Sequence, residues 1–203
     1  MDATQSRQSG EYAFPYHYLP TFERDGFTQG RLWGYSLSYL GAMELILDQL
    51  ATRQPKTYCD VGCGDGALVH FLSQRYEDVV FTGIDYDASA VRWAELFNSH
   101  GNDFLTADIV SDEIGKTFDV VSLIEVIEHI QPEVLPGFIG AITTLMHDDA
   151  TLIITVPHAN KPVQAKHYQH FTFDSLRQYV EPHFEIEDLF GFGHTNLLER
   201  VYG

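Results

Sequence analysis

Segments with the periodicity of strands and of helices alternate from Thr57 to Val156. This predicts an α/β fold: a doubly wound, mostly parallel sheet in a three-layer α/β/α arrangement. A glycine-rich turn, Gly62-Cys63-Gly64-Asp65-Gly66, joins the first of these strands to the first helix, where such sheets place their ligand crevice. Acidic residues then recur at the ends of three consecutive strands: Asp60, Asp85 and Asp108.

Taken in order, residues 1–34 form a first unit, a polar tail up to Gly10 followed by an aromatic stretch. Tyr12, Phe14, Tyr16, His17, Tyr18, Phe22, Phe27 and Trp33 crowd together there, too apolar for a linker. Residues 35–203 form the domain proper, opened by a helix over Tyr35–Leu50 with Leu37, Leu40, Met43, Leu47 and Leu50 on one face. Strands follow at Thr57–Val61, Val79–Asp85, Asp103–Thr106, Phe118–Ile124 and Thr151–Val156. The intervening helices are Gly66–Tyr76, Ala88–Asn98 and Glu133–Leu145, with one more over Phe173–Val180. Apolar pieces at Phe184–Phe190 and Thr195–Tyr202 predict a closing antiparallel strand pair at one edge.

Composition narrows the function classes. The chain of 203 residues is 44% hydrophobic with 14 Phe and 11 Tyr, a globular makeup. Its formal net charge of −17, with Lys plus Arg at 12 and no polybasic run, argues against nucleic acid and anionic membrane surfaces as partners. Cys59 and Cys63 form neither a disulfide framework nor a paired zinc spacing, which suits a reducing compartment. No export signal or membrane-length apolar run is present, so a cytoplasmic location is expected. The oligomeric state is not legible.

The glycine loop has an acid before it and another inside it. Asp60 and Asp65 would repel a pyrophosphate, and Gly-x-Gly-x-Gly departs from the dinucleotide fingerprint, which sets aside a nicotinamide-dependent dehydrogenase. Such a loop suits a ligand with a cationic end. Between them, Asp60 to Gly66, Asp85 and Asp108 resemble the Rossmann-like class I S-adenosylmethionine-dependent methyltransferases, over about Thr57 to Val156. The resemblance implies S-adenosylmethionine as cofactor and S-adenosylhomocysteine as product. It lays Asp60, Gly62, Cys63 and Gly64 along the methionine part, Asp85 on the ribose hydroxyls and Tyr86 beside the adenine. Asp108, followed by Ile109, takes the adenine amino group, and Glu125 faces the cofactor's amino end. Purely structural uses compete: Asp85 and Asp108 as helix caps, and Asp65 as the cap of the first helix.

Glu125-Val126-Ile127-Glu128-His129 resembles the stretch that meets the methyl-transfer centre in these enzymes. His129 is a candidate proton acceptor, with a turn-capping role as the alternative. After the fifth strand, His158, His167 and His170 return toward the same edge, His158 and His170 as further candidate bases and His167 in the acceptor pocket with Tyr16 and His17. The favoured reading is a metal-free methyltransferase acting on oxygen, rather than nitrogen, of a small-molecule acceptor, similar to ubiquinone-type and sugar- or polyketide-modifying O-methyltransferases. The alternative resembles the methyltransferases of small-RNA terminal ribose, in which Glu125, Glu128, His129 and His170 would hold a divalent metal ion. A non-catalytic cofactor-binding subunit is the rival of another class; the His-rich acceptor edge speaks against it.

Overall fold

The computed structural model describes residues 4–7, 21–23, 26–28, 33–98 and 101–191. Two short strands, β1 (Thr21–Glu23) and β2 (Gly26–Thr28), pair antiparallel within the segment that the sequence assigns to the aromatic front end. Tyr16 and His17 lie outside the described residues. The domain then runs α1 (Trp33–Arg53), β3 (Thr57–Val61), α2 (Ala67–Ser73), β4 (Val80–Asp85), α3 (Ala88–Phe97), β5 (Asp103–Thr106), β6 (Phe118–Ile124), α4 (Leu135–Ile142), β7 (Met146–Thr155) and α5 (Phe173–Val180). Five strands form one sheet in the order β5-β4-β3-β6-β7, and every pairing in it is parallel. The order reverses between β3 and β6, so the turns after these two strands flank the crevice of the sheet.

Strand alternation divides the core into two layers. Tyr58, Phe81, Val120 and Ile153 pack with Ile46 and Leu50 of α1 and Leu68 and Leu72 of α2 on one face. Cys59, Val61, Val121 and Leu123 pack with α4 and α5 on the other. Because β3 is central and covered on both faces, four of its five residues are buried. Its entry is fixed by Asp119, whose Oδ2 accepts from the N–H groups of Lys56 (2.8 Å) and Thr57 (2.9 Å).

The parallel three-layer architecture is as predicted, with departures at α4, at β7, which begins at Met146 rather than Thr151, and after α5. The helix expected over Glu133–Leu145 is α only over Leu135–Ile142. It tightens into a 3₁₀ turn at Thr143–Leu145, where the Thr143 and Thr144 hydroxyls donate to the carbonyls of Gly140 (2.7 Å) and Ala141 (2.8 Å). The closing antiparallel pair is not seen. Phe184–Phe190 forms no strand; Phe184, Ile186 and Leu189 instead lay their side chains against the core, and Thr195–Tyr202 lies outside the described residues. Among the described residues, no helix is long and apolar enough to cross a membrane.

Candidate active site

β3 ends in a turn of three left-handed glycines, Gly62 (φ 76°), Gly64 (φ 55°) and Gly66 (φ 75°). Gly62 is also required by proximity: a Cβ there would lie 2.6 Å from Cγ2 of Val126, in the turn after β6. The N–H groups of Gly62 and Cys63 both donate to the Ile84 carbonyl at 2.7 and 3.1 Å, stitching the loop to β4. Gly66 is the N-cap of α2 and no side chain caps it, so the capping role open to Asp65 is not used.

Two buried carboxylates stand beneath this loop. Asp85, 4% exposed, accepts from the Gly64 N–H through Oδ2 and from the Asp87 N–H through Oδ1, both at 2.9 Å. Asp60, also 4% exposed, accepts from the Ser122 hydroxyl at 2.6 Å, and Ser122 in turn accepts from the Tyr58 hydroxyl at 2.7 Å. Burial pushes the Asp60 carboxyl up to about 7, against the Ser122 hydrogen bond and with help from the Asp85 charge. Burial likewise pushes Asp85 up to about 6, opposed by the N–H groups of Asp87 and Gly64. Both folded values exceed those of an unfolded chain, so the folded state holds extra protons between pH of about 4 and about 7. Stability is therefore expected to fall as pH rises through that window. Asp60→Asn should flatten the decline in thermal unfolding temperature between pH of about 5 and about 7.5; a decline as steep as wild type would exclude Asp60 as its source.

Of the remaining cofactor candidates, Tyr86, just past the end of β4, is 46% exposed. Asp87, not Asp85, caps α3, accepting from Ser89 N–H at 2.7 Å and Ala90 N–H at 3.4 Å. Asp108 is exposed and closes its own turn, accepting from the Val110 N–H at 2.9 Å, while its neighbour Ile109 is buried in the core. Cys63 is buried, and burial raises its thiol well above the ordinary range, so it contributes to the loop by its backbone.

The turn after β6 is strained. Glu125 adopts φ 56°, a left-handed conformation that a residue with a side chain rarely takes, and is held there by its N–H to the Thr155 carbonyl (3.0 Å) and by the Thr155 hydroxyl donating to Oε1 (3.3 Å). A 3₁₀ turn over Ile127–His129 then buries Glu128 completely. The segment following β7 folds over this turn, with the Tyr168 N–H donating to the Glu128 carbonyl at 2.8 Å. His129 Nδ1 lies 2.9 Å from the Lys166 carbonyl, and the His129 and His167 rings meet edge-on with centroids 4.7 Å apart. His167 Nδ1 lies 2.8 Å from His170 Nε2, and His170 Nδ1 lies 3.1 Å from the Lys161 carbonyl. Burial, followed by its histidine neighbours and Lys166, pulls the His167 imidazole down to about 3, so the ring is neutral.

Three of the sequence candidates thus converge: His129, His167 and His170. His158 stands apart, its exposed ring edge-on to Phe173 and its Nδ1 accepting from the Asn160 N–H at 3.1 Å. Of the carboxylates and imidazoles proposed as metal ligands, those that meet are Glu128 and His129, joined by His167; His170 lies behind His167 and Glu125 is not in the group. Sequence reasoning did not pick out Ser122 and Tyr58, which support Asp60, or Thr155, which supports Glu125. A lone serine inside the apolar run Val120–Ile124 was the available signal for the first.

The chain belongs to the methyltransferase-domain family, which matches residues 37–190. It is 30% identical over 115 residues to the probable (S)-tetrahydroprotoberberine N-methyltransferase 2 of Papaver bracteatum, covering 55% of this chain and 32% of that protein. It is 35% identical over 89 residues to the ubiquinone biosynthesis O-methyltransferase of Pseudomonas paraeruginosa, covering 41% of this chain and 38% of that one. The chain therefore spans about a third of the length of these relatives. The fold is shared with a crystal structure of coclaurine N-methyltransferase bound to N-methylheliamine and SAH, with a TM-score of 0.52 at 22% identity over 59% of this chain and 37% of that one.

Proposed function

We propose that this protein transfers the methyl group of S-adenosylmethionine to an oxygen of a small molecule, leaving S-adenosylhomocysteine. The acid-flanked glycine loop at the strand-order reversal carries this reading, because two carboxylates buried at adjacent strand ends call for a cationic partner and a sulfonium with an amino group is one. In this reading Asp60 and the backbone of Gly62, Cys63 and Gly64 line the methionine part, with Glu125 toward its amino group. Asp85 takes the ribose hydroxyls on the lone pairs its backbone donors leave, Tyr86 covers the adenine, and Asp108 with the Ile109 backbone takes the adenine amino group. Bond formation from acceptor oxygen to methyl and cleavage of the methyl–sulfur bond occur in line, and the acceptor's proton passes to a base.

His129 is that base. The Lys166 carbonyl can only accept, so His129 Nδ1 carries the hydrogen and Nε2 is the ring nitrogen on the Glu128 side, 3.8 Å from Oε1. His170 supports it through His167, His158 is the outlying candidate, and His167 shapes the acceptor pocket, which the segment 1–34 with Tyr16 and His17 completes as a lid. A hydroxyl needs such a base more than an amine does, which favours oxygen; a relative named as an N-methyltransferase keeps nitrogen as the second reading. The small-molecule acceptor is supported by the net charge of −17 and by relatives named for tetrahydroprotoberberine and ubiquinone chemistry. Calorimetric titration of EDTA-treated protein with S-adenosylhomocysteine is expected to give one micromolar site per chain. Absence of heat and of thermal stabilisation would overturn the assignment.

A further inference from the structure

β3 and β6 carry a short polar chain through an otherwise apolar layer of the core. Asp60 and Ser122 are register partners on these adjacent strands, and Tyr58 lies two residues before Asp60. By strand alternation all three side chains share the face covered by α1 and α2, where Phe81, Val120 and Ile153 are buried. Tyr58 and Ser122 are 0% exposed. A serine at such a place costs free energy unless its hydroxyl is used.

The hydrogens fix the direction of this chain. A phenol and a serine hydroxyl each carry one hydrogen, and an ionised carboxylate carries none. The Ser122 hydroxyl therefore donates to Asp60 Oδ1 at 2.6 Å, and the Tyr58 hydroxyl donates to Ser122 at 2.7 Å. A hydroxyl that accepts is the better donor, so Tyr58 strengthens the bond that Ser122 makes. The two buried carboxylates differ here. Asp85 has a backbone N–H on each oxygen, whereas Asp60 Oδ2 has no donor among the described residues. One oxygen of Asp60 is held from within the sheet, and the other is left for a positively charged ligand group.

We propose that Ser122, backed by Tyr58, is a positioning residue for cofactor binding: it anchors Asp60 Oδ1, so that the ionised carboxylate presents Oδ2 to the cationic methionine part of the ligand. This role rests on the methyl-transfer reading, which supplies that ligand. The glycine loop cannot substitute for Ser122, because the N–H groups of Gly62 and Cys63 go to the Ile84 carbonyl and that of Gly64 goes to Asp85. Burial pushes the Asp60 carboxyl up to about 7, and the Ser122 hydrogen bond is what opposes it. The titratable groups acting on Asp60 are Asp85 of β4, whose charge adds to the effect of burial, and the thiols of Cys59 and Cys63, which burial keeps protonated. Loss of one hydrogen bond to a charged group moves a carboxyl up by about one pH unit. A ligand that needs the carboxylate then loses affinity most at low pH, where the proton competes best.

Calorimetric titration with S-adenosylhomocysteine between pH of about 6 and about 9 compares wild type with Ser122→Ala and Tyr58→Phe. Wild-type affinity is expected to rise through pH of about 7 as Asp60 ionises. The ratio of variant to wild type at each pH cancels the ligand's own titration. By that ratio, Ser122→Ala is expected to lose about tenfold near pH of about 6 and less than about twofold near pH of about 9. Tyr58→Phe keeps the Ser122 hydroxyl, so it should lose less with the same trend, and it carries the test if Ser122→Ala does not fold. Beside Asp60→Asn, Ser122→Ala should add less than about twofold at any pH, because its effect passes through the carboxylate. Wild-type affinity in Ser122→Ala, a loss that does not vary with pH, or an undiminished loss beside Asp60→Asn would each overturn this role and leave the cofactor reading standing. Wild-type protein that binds no S-adenosylhomocysteine at any pH would overturn both.

Discussion

Asp85→Ala is expected to weaken S-adenosylhomocysteine binding by roughly 10- to 100-fold, about 1.5–3 kcal/mol, the magnitude of a lost charge-assisted hydrogen-bond pair. Two contributions add in the same direction. The carboxylate is proposed to receive the ribose hydroxyls directly, and it also holds the Gly64 and Asp87 N–H groups at 2.9 Å, so its removal frees the loop on which the rest of the cofactor lies. Asp85→Asn separates them. An amide oxygen can still accept from one backbone N–H, but the amide nitrogen faces the other donor and offers no charge to the ribose, so an intermediate loss is expected. Because burial already disfavours the Asp85 carboxylate, the alanine variant should lose affinity without a matching loss of thermal stability. Wild-type affinity in the alanine variant would remove Asp85 from the cofactor site.

The parts of this molecule legible from its sequence are those set by local pattern. The strand Phe118–Ile124 and the helix Phe173–Val180 were bounded correctly because an apolar run and a Thr172–Ser175 capping box are written in consecutive residues. The glycine loop was legible for the same reason, since a strand, a tight turn and a helix follow one another directly. What the sequence left open depends on partners distant along the chain. Whether Asp85 caps a helix turned on its carboxylate reaching Gly64, 21 positions away, which leaves the cap of α3 to Asp87. Phe184–Phe190 has strand-like alternation but packs its apolar face without a paired backbone, and no sequence pattern distinguishes these two outcomes. The convergence of His129, His167 and His170 arises because the segment after β7 lies across the β6 turn, a path fixed by the Tyr168 N–H on the Glu128 carbonyl and by the His129 ring on the Lys166 carbonyl.

His129→Ala carries the other large expected effect, a fall in turnover of about a hundredfold or more with S-adenosylhomocysteine affinity retained. His129 closes the 3₁₀ turn after β6, four residues past Glu125, and its Nδ1 is held by the Lys166 carbonyl on the segment after β7. Removing it should therefore spare the cofactor and strike the proton transfer. A purely structural imidazole would give another pattern, because losing the Lys166 tie would loosen the segment after β7, raise KM for the acceptor and lower the unfolding temperature. The pH–rate profile separates the two. If His129 takes the proton, the acidic limb of kcat/KM disappears in the variant and added imidazole restores part of the rate, neither of which a lost packing contact would produce. Wild-type turnover in His129→Ala would give the ring a structural role in the turn and move the search for a base to His158 and His170.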